Sequence, residues 1–363
     1  TIDMTRVLVT GASGYIGSVL TDYLARHGID CVGYDLGFFE PCVLYSPSSP
    51  ATVPRDARDI TEADLGGIDA VVHLAGISND PMGKLDAAQI YDPTRTYSLE
   101  IAKRCKQLGV KFIFASSCSV YGLGGKELLT EGSPTQPQTP YSLNKLQIED
   151  DLREIADSTF SPIALRFATV FGSSPRIRFD VVVNMLTGLA AATKTIVLNS
   201  DGKAWRPNVH ILDACQAVLR AVELDYYAGE LLVLNVGDEV NNLEVIHIAK
   251  IVQAAVPGCE LRFLSENPEL DEDGLIRDRK VEGDVDARTY KVSFEEIRRV
   301  MPRFACEWTV ERGVKDMSTR FQELSLTNEV FKRRGFYRLQ QLEYLHENGY
   351  LSDELRWLKA LPG

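Results

Sequence analysis

Tyr141 and Lys145 stand four residues apart in the run Pro140-Tyr141-Ser142-Leu143-Asn144-Lys145. That spacing brings both side chains to one face of a helix, and Pro140 suits a helix start. A free tyrosine, with a pKa of about 10, is a weak base near neutrality. A lysine ammonium one turn away favours the phenolate and would let Tyr141 take a proton from an alcohol as a general base. Upstream, the apolar run Phe112-Ile113-Phe114 passes into the serine-rich turn Ala115-Ser116-Ser117-Cys118-Ser119. Catalytic groups gather where strands of a parallel sheet end, and Ser117 is the hydroxyl placed to hydrogen-bond the reacting oxygen. Cys118 has no identifiable base beside it and reads as structural.

A second pattern points to a redox cofactor. Val7-Leu8-Val9-Thr10 leads into Gly11, Gly14 and Gly17, with Tyr15 and Ile16 between the last two. In a strand–turn–helix the first glycine permits the tight turn, the second a close approach to a pyrophosphate, and the third close helix–strand packing. The helix start then offers N–H groups to the phosphates. Such a spacing arises by chance, but here it follows a strand and opens a helix, as the motif requires. Asp35, 18 residues after Gly17, could accept both hydroxyls of an adenosine ribose and repel a 2′-phosphate, favouring NAD over NADP; the alternative is a capping Asp at a strand end. Asp59 and Ile60 follow a short strand, and Asp59 could meet the adenine amino group. Leu74, Ala75 and Gly76 end another buried strand and are small enough for a cofactor to lie close. His73 beside them reads as a packed core histidine.

These residues need a scaffold. Strand-like runs at 6–10, 31–35, 70–74, 111–116 and 162–170 alternate with helix-like stretches at 15–27, 99–108 and 141–157. Alternation of this kind predicts βαβ units and a doubly wound parallel sheet. Beyond Gly172 the pattern loosens, with helices expected at 179–192 and 243–256 and a strand at 231–236. Segments 41–54 and 266–278 read as surface loops. The expected division is an NAD-binding domain over 1–172, to which later segments return, a substrate-binding region over 173–317, and a helical extension over 318–363. In that extension Phe331, Phe336, Leu339, Leu342 and Leu345, with Arg333, Arg334 and Arg338 between them, predict an amphipathic helix. Its expected role is packing on the substrate region, with a dimer contact or a lid as the alternative.

Composition excludes several classes. A net charge of −12 argues against a broad nucleic-acid surface but leaves room for one local anion site. No run approaches the roughly 18 apolar residues of a membrane helix. The seven cysteines (31, 42, 105, 118, 215, 259, 306) are scattered, and the five histidines are far apart, so neither a disulfide framework nor a metal site is readable. A cytoplasmic location is expected.

Taken together, TGASGYIG (10–17), Asp35, RDI (58–60), HLAG (73–76), SSCSVYG (116–122), PYSLNK (140–145), LRFATVFG (165–172), WRPNVHILD (205–213) and EGDVDARTYKVS (282–293) resemble the extended short-chain dehydrogenase/reductases, in their nucleotide-sugar epimerase and dehydratase branch. Within that branch the UDP-galactose 4-epimerases are similar. The resemblance covers roughly residues 5–315. It implies that Gly11, Gly14, Gly17, Asp35, Asp59 and Ala75 hold NAD and that Ser117, Tyr141 and Lys145 are catalytic. It further implies that Arg206, with Arg288, meets a substrate diphosphate, that Thr169 and Asn184 touch the substrate, and that the protein is a homodimer through helices 99–108 and 141–157.

Departures narrow the expectation. Dehydratases of the branch carry an Asp–Glu pair where this chain has Cys118 and Ser119, which disfavours dehydration. Thr169, Ser78 and Thr94 replace Asn, Lys and Asn of the galactose enzymes. The expected reaction is NAD-dependent epimerisation of a nucleotide-diphosphate sugar through a transient keto-sugar at C4. The alternatives are a keto-reductase or dehydrogenase with net NAD(H) turnover and, from another class, a non-catalytic NAD-binding protein.

Overall fold

The computed structural model describes residues 5–48, 52–78, 86–264 and 288–361; the acidic stretch 266–278 and residues 282–287 of the late motif lie outside it. In the first half, β1 (Arg6–Thr10), β2 (Asp30–Asp35), β3 (Thr52–Pro54), β4 (Ala70–His73) and β5 (Lys111–Ser117) are accompanied by α1 (Gly17–Arg26) and α2 (Ala87–Leu108). Next come β6 (Leu123–Leu129), α3 (Pro140–Ile155), β7 (Ile163–Phe167) and β8 (Thr169–Phe171). The chain continues through α4 (Val182–Thr193), β9 (Thr195–Leu198), β10 (Trp205–His210), α5 (Ile211–Glu223) and β11 (Leu232–Val236). It ends with β12 (Asn242–Glu244), α6 (Val245–Ala255), β13 (Glu260–Phe263), β14 (Thr289–Val292), α7 (Glu295–Val300), α8 (Val310–Glu323), α9 (Asn328–Phe331) and α10 (Arg338–Glu347).

Seven strands form one parallel sheet in the order β11-β7-β5-β4-β1-β2-β3. This is a Rossmann-type doubly wound fold, and the order reverses at β1, where α1 begins. Both faces are covered, so the central strands β1, β4 and β7 are buried along almost their whole length, as in parallel sheets generally. Val7 and Val9 join Leu20 and Leu24 of α1 and Val218 of α5 in one core. Leu8 points the other way, to Ile101 of α2 and Ile148 and Leu152 of α3. Ile101 and Ile148 are therefore consumed in covering the sheet rather than left for a partner.

α2 begins twelve residues before the stretch legible in the sequence (87 against 99), with Pro93 inside it; packing of Ile90 and Tyr91 outweighs proline's lost hydrogen bond. The expected single strand at 162–170 is two. The chain leaves the large sheet at Ala168, and β8 pairs with β10 instead. That switch carries Thr169 toward the second half of the molecule. There α4, α6 and α8 build a separate core with Phe179, Phe321 and Phe331.

The C-terminal segment is not one amphipathic helix. It breaks into α9, a 3₁₀ turn at Arg334–Phe336 and α10, and Arg338, expected on a polar face, is buried. Leu342, Leu345, Leu351 and Leu355 pack with Phe38, Ile90 and Tyr91 of the first half.

Candidate active site

One cavity of about 1100 Å³ runs between the two halves. It exceeds the roughly 300–1,000 Å³ of ordinary small-molecule sites, leaving room for two ligands end to end. Gly11, Gly14, Tyr15, Ile16, Gly17, Asp35, Ile60, Leu74, Ala75, Gly76, Ser117, Tyr141, Lys145, Thr169, Arg206 and Arg288 all line it. The fold thus brings together residues up to 277 positions apart in the chain (11 to 288).

At one end the loop after β1 needs its glycines. Gly11 has φ +75°, and a Cβ there would lie 2.9 Å from the Ala75 nitrogen. A Cβ on Gly17 would lie 2.2 Å from the Gly11 carbonyl oxygen. α1 begins with no side-chain cap, so its first N–H groups are not claimed by a capping side chain. The Asp35 carboxylate, at the end of β2, accepts from Ser13 N (3.0 Å) and Gly37 N (2.7 Å), one on each oxygen. A carboxylate has about four acceptor positions, so capacity for a ribose remains. Burial raises the Asp35 pKa, against the lowering effect of these two bonds. The cradle that a Cβ would fill, the open helix start and the acidic strand end fit NAD.

At the centre, Thr139 caps α3, its hydroxyl oxygen accepting from Ser142 N at 3.2 Å. Lys145 Nζ lies 5.6 Å from the centre of the Tyr141 ring and donates to the Ala115 carbonyl at 2.7 Å. Burial pulls the Lys145 pKa down to about 8, so the ammonium form still predominates near neutrality. Ser117 closes β5. Its hydroxyl donates to Ser119 Oγ at 2.9 Å, and Ser142 Oγ donates to that same oxygen at 2.9 Å. Ser119 also lines the cavity, a role its motif did not single out.

A buried ion pair fixes this centre from behind. Glu149, one turn past Lys145, accepts from Arg166 Nε (2.9 Å) and Nη2 (2.6 Å) and from Ser116 Oγ (2.5 Å). Glu149 is fully buried, so α3 is tied to β5 and β7. Cys118 is buried, donates to the Arg166 carbonyl, and has its thiol pKa pushed up by burial; it is not an activated nucleophile. His73 bridges Thr10 Oγ1 and Ser98 Oγ at 2.8 Å each, and burial pulls its pKa down to about 3.

At the far end, Arg206 on β10 and Arg288, next to β14, both reach the cavity. Two further guanidiniums join the wall without having been picked out from the sequence. Arg178 donates to Asp180 (2.8 Å) and to Ser78 Oγ (2.8 Å) and O (3.0 Å). Arg338 donates to the Arg176 carbonyl (2.6 Å) and lies 4.5 Å over the Phe39 ring. Burial lowers the Arg338 pKa to about 10.

Two expected contacts are displaced. Asn184 is fully buried and off the cavity wall, its amide spent on Gly172 N (3.0 Å), the Tyr15 hydroxyl (3.1 Å) and the Arg178 carbonyl (3.0 Å). Its hydrogen bonds hold Tyr15 and the Arg178 backbone in place. Asp59 is exposed and turned to Arg356, at 2.8 and 3.1 Å; Asp56, Ala57 and Arg58 line the cavity in its place.

A dinucleotide-binding sheet with a serine closing β5 and a Tyr–Lys pair on the neighbouring helix α3 defines an NAD-dependent enzyme of the short-chain dehydrogenase/reductase class. Residues 7–237 match the NAD dependent epimerase/dehydratase family, and the chain belongs to that family. A UDP-glucose 4-epimerase of Azospirillum brasilense is 30% identical over 251 residues, which is 62% of this chain and 71% of the relative. Among solved structures, TunA, an NAD-dependent NDP-hexosamine 5,6-dehydratase of tunicamycin biosynthesis, superposes with a TM-score of 0.73 at 20% identity, covering 88% of this chain and 98% of its own. A UDP-glucuronic acid 4-epimerase from Bacillus cereus, in complex with UDP-glucuronic acid and NAD, gives 0.70 at 21% identity, covering 88% and 100%. Among the described residues no helix is long and apolar enough to cross a membrane.

Proposed function

We propose that this enzyme epimerises a nucleotide-diphosphate sugar at C4 through a transient keto-sugar. The observation that carries the reading is the layout of one cavity: the glycine loop and Asp35 at one end, Tyr141, Lys145 and Ser117 in the middle, and Arg206 with Arg288 at the other. NAD, held by the glycine loop (Gly11, Gly14, Gly17) and Asp35, would supply the redox capacity. The protein's own part is to bind, orient and move protons. Tyr141 takes the proton of the C4 hydroxyl, helped by the Lys145 ammonium beside its ring, while Ser117 hydrogen-bonds the reacting oxygen. Arg206 and Arg288 grip the diphosphate, and the small Ala168 and Thr169 leave space for the sugar to turn over. Cys118 and Ser119 offer no carboxylic acid to a leaving hydroxyl, so elimination lacks its acid. The 4-epimerase relative supports the same reaction type.

The test is incubation with a panel of UDP-hexoses, UDP-pentoses and UDP-uronic acids and no added cofactor. Interconversion of two stereoisomers at unchanged mass is expected. Strict dependence on stoichiometric NADH or NAD would move the assignment to a net reductase or dehydrogenase, and loss of water would move it to a dehydratase.

A further inference from the structure

The segment after α10 folds back as a strap. Leu351 and Trp357 form an antiparallel bridge, and Ser352 N donates to the Arg356 carbonyl at 2.9 Å. The strap lies against the loops that follow β2 and β3. Trp357 Nε1 donates to the carbonyl of Leu36, the residue after Asp35, at 2.6 Å, and its ring packs 5.5 Å from that of Phe38. The Arg58 guanidinium donates to the Glu354 carbonyl and, at 3.1 Å, to that of Leu355. Arg356 closes the set by pairing with Asp59 at 2.8 Å. Glu354 and Leu355 thereby become part of the cavity wall, facing it together with Asp35, Ala57 and Ile60.

Leu355 is buried yet has φ +55°, a conformation that a non-glycine residue keeps only where its surroundings hold it. The Arg58 donor bonds to the carbonyls of residues 354 and 355 provide that hold. In a sheet of this kind the ribose belongs at the acidic end of β2, with the purine beyond it and away from the catalytic helix. That is the part of the cavity the strap walls.

We infer that residues 352–357 form the outer wall of the adenosine end of the cofactor site, and that NAD leaves only when this strap detaches. The inference rests on the reading of the cavity as an NAD site whose cofactor is regenerated in each turnover; such an enzyme has no need to exchange it. The sequence resemblance stops near residue 315, so the strap is a device of this chain's own extension.

The experiment loads the full-length protein with radiolabelled NAD, chases with excess unlabelled NAD and follows retained label by rapid filtration. Two variants are compared with the unaltered protein. Trp357→Ala removes the bond to Leu36 and the contact with Phe38. Leu355→Gly removes the wall side chain while relaxing the positive φ, so the backbone is not strained further. At least tenfold faster label loss is expected in both, with affinity for UDP, measured by calorimetry, unchanged within twofold. In the unaltered protein NAD should also slow amide hydrogen exchange across 350–358. Folded variants that lose label at the unaltered rate would overturn the strap while leaving the cofactor reading intact. Failure of the unaltered protein to retain any NAD would overturn the cofactor reading, and the strap with it.

Discussion

At one end of the cavity the chain presents mostly backbone: a glycine loop, the start of α1, and a carboxylate already fastened to two N–H groups. At the other end it presents long cationic side chains, Arg206 and Arg288. The first arrangement is local and rigid, since its glycines are dictated by atoms only a few residues or one strand away. The second is assembled from segments 82 residues apart in the chain (206 to 288), each arginine held by whatever the fold brings to it. A rigid end suits a cofactor that stays through every turnover. An end of long side chains suits a substrate that comes and goes. Helix α3, which carries Tyr141 and Lys145, lies between them.

The largest effect should come from the centre, which belongs to neither end. Tyr141→Phe is expected to lower turnover by about 10²–10⁴-fold, the usual contribution of a positioned general base, while its NAD content and melting temperature stay normal. Near-normal turnover would remove Tyr141 from the role of base.

At the arginine end, Arg206→Ala should weaken UDP binding by about 2–5 kcal/mol, if its partner charge is desolvated in the complex, and leave NAD retention unchanged. A variant that lost NAD but held UDP would invert the assignment of the two ends.

Gly17→Ala probes the other end. The added methyl would meet the Gly11 carbonyl oxygen at 2.2 Å and the Ala12 Cα at 2.8 Å, and backbone atoms yield little. Overpacking of about 1–3 kcal/mol is expected, together with loss of NAD and retention of UDP. Undiminished NAD affinity, measured by calorimetry, would mean that the loop is not the cradle.

A smaller effect concerns pH. His73 falls from 6.5 unfolded to about 3 folded because burial disfavours its charge. Over that window the unfolded chain binds the extra proton. The His73 contribution is therefore fully present above pH 6.5 and declines as pH falls, by about 1.4 kcal/mol per unit. His210, also lowered to about 3, acts in the same sense. Asp213, raised to about 6 by burial, acts in the opposite sense below that pH. Urea denaturation of the unaltered protein and His73→Asn between pH 7 and 4.5 isolates one histidine: the unaltered protein should lose stability more steeply. Parallel curves would contradict the buried neutral imidazole.

The smallest claim is a homodimer through α2 and α3. With Ile101 and Ile148 buried against the sheet, the apolar residues these helices leave open include Leu108 and Leu143, each 45% exposed. Light scattering should give twice the chain mass of 40.3 kDa, and a monomer mass at every concentration would exclude the dimer.

Sequence alone determined the glycine loop, Asp35, the Tyr141–Lys145 pair and the alternating strands and helices. Each of these depends on neighbours within a turn of helix or on the apolar character of a buried strand, and such constraints are written locally. It also marked Arg206 and Arg288 through their motifs. Tertiary structure decided what long-range partners control. Asp59 turns outward because Arg356, 297 residues later, meets it there. Asn184 is spent on Gly172 and Tyr15. Arg338 is buried because carbonyls of Arg176 and Gly335 and the ring of Phe39 receive it. The C-terminal segment, whose pattern suggested one amphipathic helix on the substrate region, packs Phe331 and Phe336 there and then breaks and reaches back to Leu36 and Arg58. No periodicity encodes the distance at which a side chain finds its partner; only the folded chain supplies it.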